Sequence, residues 1–331
     1  MKIEKSVFTN NLSRREFLTG ITIAVASTSL YPSNLFASIQ PKPSTRIKVC
    51  IFSKHLQWCK DYKSMAETAA ELGFDGVELT IRPDGHIKPE RAQDDLPKAV
   101  EAVKKAGIEV PMVCSSIIDP KDPNTESILK TASQLGIQHY RLGYWHYPET
   151  MGILEFLNSL KPQMKDLAAM NKQYKIVGAI QNHTGNYIGG SLWDAWELFK
   201  DVDPEWLGFQ FDTGNAFAEG AAGTWKTNAR MVASHIKTLA VKTQAEWRDP
   251  EWQKTTEKSR KKWDVQIPDD FKWFFGLMKK IGFSGPLTTH YEFPLGGADT
   301  GAQELKGITK QELFTVIREN LKILRNMISE A

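Results

Sequence analysis

His290 and Glu292 stand two residues apart in Thr288-Thr289-His290-Tyr291-Glu292-Phe293, after a Gly285-Pro286 start and before Pro294, Gly296 and Gly297. An apolar start followed by alternating polar groups and a Pro/Gly stop reads as a buried strand running into a functional loop. Alternate strand residues share a face, so Thr288, His290 and Glu292 point one way and Tyr291 and Phe293 the other. Three upstream segments carry the same signature. Gln181 and His183 share a parity, as do Gln210 and Asp212, which leaves Phe209 and Phe211 for the opposite face; Thr238, Ala240 and Lys242 form the third set. Four strand ends thus aim Gln, His, Asp, Lys, His and Glu at one volume. Two carboxylates, imidazoles and an amide oxygen are a donor set for Mn, Mg, Zn, Co or a similar divalent cation. The competing reading is a hydrogen-bonded polar plug.

The elements that must position these groups repeat along the chain. Short apolar runs at 47–53, 76–81, 108–115, 139–144, 175–181, 207–212, 236–242 and 285–292 alternate with helical periodicity at 62–72, 96–106, 125–135, 153–171, 192–199, 224–234, 271–281 and 309–327. Gly73, Gly107, Gly136 and Gly282 follow helical segments, where glycine can take the left-handed cap conformation. Eight strand–helix units predict a single (β/α)8 barrel rather than a doubly wound sheet. No Gly-x-Gly-x-x-Gly follows the first strand, which counts against dinucleotide binding.

The 331 residues carry 42 Lys and Arg against 39 Asp and Glu, a net charge of +3. No long basic run supports a nucleic-acid partner or a membrane surface, and no segment reads as a stable membrane insertion. The densest basic patch, 258–262, reads as a solvated face. Three cysteines without repeated spacing argue against a disulfide framework and a zinc cluster. Ser13-Arg14-Arg15-Glu16-Phe17-Leu18, then a short apolar stretch ending near Pro32, resembles a twin-arginine export signal cleaved near Ala37. The expected organisation is a signal over 1–37, a linker over 38–45 and the barrel over 46–331, with the mature protein in the periplasm or cell envelope.

Two connections after strand carboxyl ends are long, 80–95 and 243–270, and that end of a barrel carries its chemistry. The second holds Trp247, Trp252 and Trp263, which suggest either a lid over the chain's own site or a surface docking on a neighbouring subunit of a homo-oligomer.

Taken in order, Gly73-Phe-Asp-Gly-Val-Glu-Leu79, Gln181-Asn-His183, Phe211-Asp-Thr-Gly-Asn215 and the closing Glu292 resemble the xylose isomerase-like TIM barrels of the sugar phosphate isomerase/epimerase type over residues 46–328. The loop Arg82-Pro-Asp-Gly-His86 and the end His290 to Gly297 resemble exported bacterial members associated with 3-keto-glycoside lyase or hydrolase chemistry. The resemblance implies one metal held from strands five to eight by Glu, Asp, His and Glu. The matching positions here are Gln181, Asp212, Ala240 and Glu292, so two of the four have changed. Ala240 cannot coordinate through its side chain, and His290 or His183 would have to supply the nitrogen; the expected set is Gln181, Asp212, His290 and Glu292.

It also implies proton abstraction beside a sugar carbonyl, leading to isomerisation, epimerisation or elimination. In that chemistry His183 is the candidate base, Lys242 stabilises developing negative charge, and His86 protonates a leaving oxygen. Their plain alternatives are a core hydrogen-bonder, an ion-pair partner for Asp212 or Glu292, and a surface loop residue. Arg82 and Arg141 are expected on substrate hydroxyls, and Trp145 and Trp247 against a sugar face. A second class remains, a sugar-binding protein whose metal site has decayed. A phosphodiester-cleaving relative would need more metal ligands than seven histidines and these carboxylates supply.

Overall fold

The computed structural model describes residues 46–242 and 270–331. The expected signal and linker, Trp247 and most of the 243–270 connection lie outside these residues. Eight parallel strands, β1 (Val49–Phe52), β2 (Gly76–Ile81), β3 (Glu109–Ser115), β4 (His139–Arg141), β5 (Val177–Gln181), β6 (Leu207–Asp212), β7 (Ile236–Lys242) and β8 (Leu287–His290), close in sequence order into a barrel. Among the described residues eight α-helices follow them in turn: α1 (Tyr62–Leu72), α2 (Ala92–Lys105), α3 (Pro123–Gln134), α4 (Ile153–Tyr174), α5 (Leu192–Phe199), α6 (Thr213–Val232), α7 (Asp270–Lys280) and α8 (Lys310–Glu330). This is the single (β/α)8 barrel that the repeats predict.

Outward strand residues and inward helix residues make the main core. Phe209 packs on Phe199 of α5 with ring centroids 5.7 Å apart, and Phe211 stacks on Phe274 of α7 at 5.0 Å. The parity assigned to β6 therefore holds, and Gln210 and Asp212 turn into the barrel. Left-handed glycines end four of the helix–strand joints, at Gly73, Gly107, Gly136 and Gly282. Close strand packing also demands glycine: a Cβ on Gly208 would fall 2.1 Å from the His235 carbonyl oxygen, and one on Gly285 1.9 Å from that of Lys237.

Register sets the heights of the candidate groups. Asp212 pairs with Ala240 and Ala240 with Thr288, while Lys242 pairs with His290, one inward position nearer the mouth. Three boundaries differ from expectation. β5 ends at Gln181, so His183 sits in the following loop, its amide bonded to Gly189 O at 2.9 Å. β8 ends at His290, because the Tyr291 amide leaves the ladder for His55 Nε2 at 3.0 Å. α6 begins at Thr213 rather than 224, since Asp212 caps it by accepting from Asn215 N. Gly214, Gly220 and Gly223 lower helix propensity there, and the cap together with packing overrides them.

Candidate active site

Asp212 is fully buried at the end of β6, against the amino terminus of α6, where the helix dipole favours a negative group. Its Oδ1 accepts from Asn215 N at 2.9 Å and its Oδ2 from Gln181 Nε2 at 2.7 Å. Asn182 clamps the two strand ends, donating to Asp212 O at 3.0 Å and accepting from Asp212 N at 2.7 Å. Lys242, only 4% exposed, reaches between two carboxylates, with Nζ 3.7 Å from Asp212 Oδ2 and 3.6 Å from Glu292 Oε1. Among the described residues its one short hydrogen bond goes to Asn215 Oδ1 at 2.9 Å. An ammonium has three donors, and contacts of 3.6 to 3.7 Å lie beyond hydrogen-bond length. Among the described residues, two of its N–H groups thus make no short bond.

Gln181 is held in one orientation. Arg141 Nη1 stands 2.6 Å and Tyr144 Oη 2.8 Å from its Oε1. A guanidinium only donates, so the atom facing it is the amide oxygen, and the NH2 must face Asp212. That NH2 also stands 3.4 Å from His290 Nδ1. Nδ1 therefore accepts, and His290 Nε2–H donates to Glu78 Oε2 at 3.2 Å. Glu78, fully buried on β2, also accepts from Gln210 Nε2 at 3.3 Å. Burial pushes the Glu78 carboxyl upward and drives the His290 imidazole well below its ordinary value, so His290 is neutral. Phe52 of β1 stacks on the His290 ring at 4.6 Å, and the guanidinium carbons of Arg82 and Arg141 each lie 5.4 Å from the Phe52 centroid. The two arginines expected to meet substrate are thereby brought to one aromatic slab.

His183 is half-buried in the loop beyond β5. Its Nδ1 lies 2.8 Å from Thr184 O and 2.9 Å from Tyr187 Oη, while Tyr187 donates its own proton to Thr184 O. A carbonyl only accepts, so Nδ1 carries the proton and Nε2 is the lone-pair nitrogen; among the described residues Nε2 has no hydrogen bond. Burial lowers the His183 pKa, opposed by the Thr184 hydrogen bond, and Lys242, Asp212 and Arg141 all act on the ring electrostatically. The imidazole is neutral near pH 7 and belongs to the same mouth.

His86 does not swing freely. Its amide bonds Thr80 Oγ1 at 2.8 Å and its Nδ1 lies 3.2 Å from the same oxygen, in a turn closed by Arg82 N to Ile87 O and Ile87 N to Thr80 O. Burial lowers its pKa to about 4, so its imidazole is neutral near neutrality, which gives the acid role expected of it no support. Trp145 is 4% exposed within the core and has no face open to a sugar. Glu78 and Lys54 were not anticipated. Glu78 was detectable as a lone charge in the apolar run Gly76 to Ile81. Lys54, in the turn after β1, has its pKa lowered by burial, with Glu292 opposing; no spacing in the sequence marks it.

The four positions expected to hold a metal do not converge as ligands. The Gln181 NH2 already lies on the Asp212 Oδ2 and His290 Nδ1 lone pairs, and its oxygen is turned away toward Arg141 and Tyr144. Ala240 offers nothing, and an ammonium stands between Asp212 and Glu292. Among the described residues no group of three His, Cys, Asp or Glu side chains is arranged to hold a metal ion. The described residues do not fit a divalent cation here.

Residues 66–310 match the family model described as xylose isomerase-like TIM barrel. The chain belongs to that family. No curated protein matches it by sequence. Solved structures of this xylose isomerase-like barrel type are similar at low identity. D-psicose 3-epimerase from Clostridium cellulolyticum is 16% identical, with a TM-score of 0.63 over 85% of this chain and 99% of that one. The 3-keto-D-glucoside 4-epimerase of E. coli is 11% identical, with a TM-score of 0.59 over 85% and 100%. A sugar phosphate isomerase/epimerase from Parabacteroides distasonis is 16% identical, with a TM-score of 0.54 over 86% and 96%. At these identities the likeness is one of fold.

Proposed function

We propose that this protein acts on a keto-sugar by abstracting the proton beside the carbonyl, giving an enolate that is reprotonated to an isomer or epimer. The observation that carries the reading is the buried Lys242 ammonium, oriented by Asn215, in the same mouth as the neutral imidazole of His183. His183 Nε2 takes the proton from carbon. The ammonium holds the carbonyl oxygen and matches the negative charge that develops on it. Arg82 and Arg141 meet hydroxyls beside the Phe52 slab. The names of the similar solved structures, epimerases of free keto-sugars and of a 3-keto-glucoside, support this substrate class. Where the sugar is a 3-keto-glycoside, the enolate formed by loss of the C2 proton can instead expel the C1 substituent. That lyase outcome suits an exported enzyme, as the twin-arginine pattern suggests, because sugar phosphates stay in the cytoplasm.

The test is proton NMR in D2O with D-psicose, D-fructose and 3-keto-glucosides, read for deuterium entering beside the carbonyl and for released aglycone. The wild type is expected to exchange with at least one sugar, and His183→Ala to lose that exchange. Sugar binding without exchange across the set would end the enolate reading in favour of a binding protein, which the changed positions Gln181 and Ala240 would then explain.

A further inference from the structure

We propose that the ammonium of Lys242 is the resident cation of this barrel mouth, in place of the divalent ion that the family resemblance implies, and that the protein takes up no metal there. Four features of the chain support it together. The neutral amide of Gln181 replaces a carboxylate, and its orientation is locked by Arg141 and Tyr144, so that N–H groups rather than oxygen face the centre. Ala240 removes the nitrogen ligand from β7 at the level of Asp212. Two residues later, on the same face, β7 supplies Lys242, whose Nζ lies within 4 Å of both remaining mouth carboxylates. His290 has its Nε2–H on Glu78 and its Nδ1 toward the Gln181 amide.

The charges present point the same way. Gln181 carries no charge where the resemblance implies a carboxylate, and the Lys242 ammonium stands near Asp212 and Glu292, so the mouth offers a divalent cation less negative charge. A metal bound to Asp212 would sit about 2.0 to 2.6 Å from its oxygen, close against an ammonium of like sign. A buried lysine oriented by Asn215, with no other short bond among the described residues, instead presents a fixed positive group to a substrate oxygen. That role toward a carbonyl rests on the enolate reading above; the exclusion of metal does not.

The experiment is metal loading of the full chain, produced with Mn and Zn supplements, dialysed without chelator and measured by elemental analysis alongside melting in Mn2+ and in EDTA. The wild type is expected to hold less than about a tenth of an equivalent and to melt at the same temperature in both. Gln181→Glu with Ala240→His and Lys242→Met, checked for native circular dichroism, is expected to take up about one equivalent of Mn2+ and to melt higher with it. About one equivalent in the wild type, lost in Asp212→Asn, would overturn the inference. So would a folded triple variant that binds none, because the ammonium and the amide would not then be what excludes the ion. Should a keto-sugar be turned over, persistence in EDTA supports the inference and a Mn2+-restored loss sinks it. Absence of all turnover from metal-free protein would remove the enolate reading and leave this one standing.

Discussion

Replacing Lys242 by Met leaves the fully buried Asp212 carboxylate without its counter-charge. At 3.7 Å and an effective dielectric constant of about 20, the pair attracts by about 4 kcal/mol. Removing one partner of a buried pair costs about 3 to 5 kcal/mol. Asp212 keeps two donors, Asn215 N and the Gln181 amide, which places Lys242→Met near about 3 kcal/mol of lost stability. Asp212→Asn should cost about 2 kcal/mol, and the double variant little more than the worse single one, for a coupling of about 2 kcal/mol. Urea unfolding followed by tryptophan fluorescence measures each variant. The same cycle with Glu292→Gln is the control: Glu292 has 38% of its side chain exposed, so its coupling should stay below about 1 kcal/mol. Additivity of Lys242→Met and Asp212→Asn to within about 0.5 kcal/mol would refute the buried pairing.

His183→Ala is expected to lower turnover of a responsive keto-sugar by about 100- to 10,000-fold, and wild-type kcat/KM to fall on the acid side through a pKa below 6.5; an acid limb unchanged in the variant would remove His183 as the base. Stability should fall with acid. Unfolded imidazoles titrate near 6.5 while burial holds native His86 and His139 at about 4, so the unfolded chain binds protons first as pH drops. The contribution is full above 6.5 and fades toward 4, by about 3 kcal/mol from each, with His55 and His290 shifted the same way; a melting temperature flat from neutral pH to about 4 would contradict it. Gly208→Ala drives a methyl into the His235 carbonyl and should cost about 3 kcal/mol, detectable as a lower urea midpoint; a midpoint within error of the wild type would show that β6 and β7 have slack.

Strand number and order were legible because each run is apolar and each helix carries its own stripe, and because backbone pairing in a closed barrel leaves few alternatives. The inward parities of Gln210, Asp212, Lys242 and His290 followed from alternation alone. Alternation fails where the strand ends, which is why His183 and Glu292 lie in loops. The direction in which Gln181 turns its amide could not be read from the chain, since it depends on Arg141 and Tyr144 arriving from another strand end. Lys242 was legible as an ion-pair partner for Asp212 or Glu292, and it stands near both. A histidine in a Pro-Asp-Gly turn looks mobile from sequence, whereas Thr80 folds the turn back onto β2.

The stack of Phe52 on His290 joins the first strand to the last, and just beyond it His55 meets Tyr291, 236 residues away along the chain. Contacts that distant form only after long loops have closed, and such closure is slow. The floor of the mouth therefore needs β8 docked on β1, and its assembly is expected late in folding. Recovered turnover after dilution from denaturant is expected to trail the return of helical signal, because turnover needs the closure of β8 on β1.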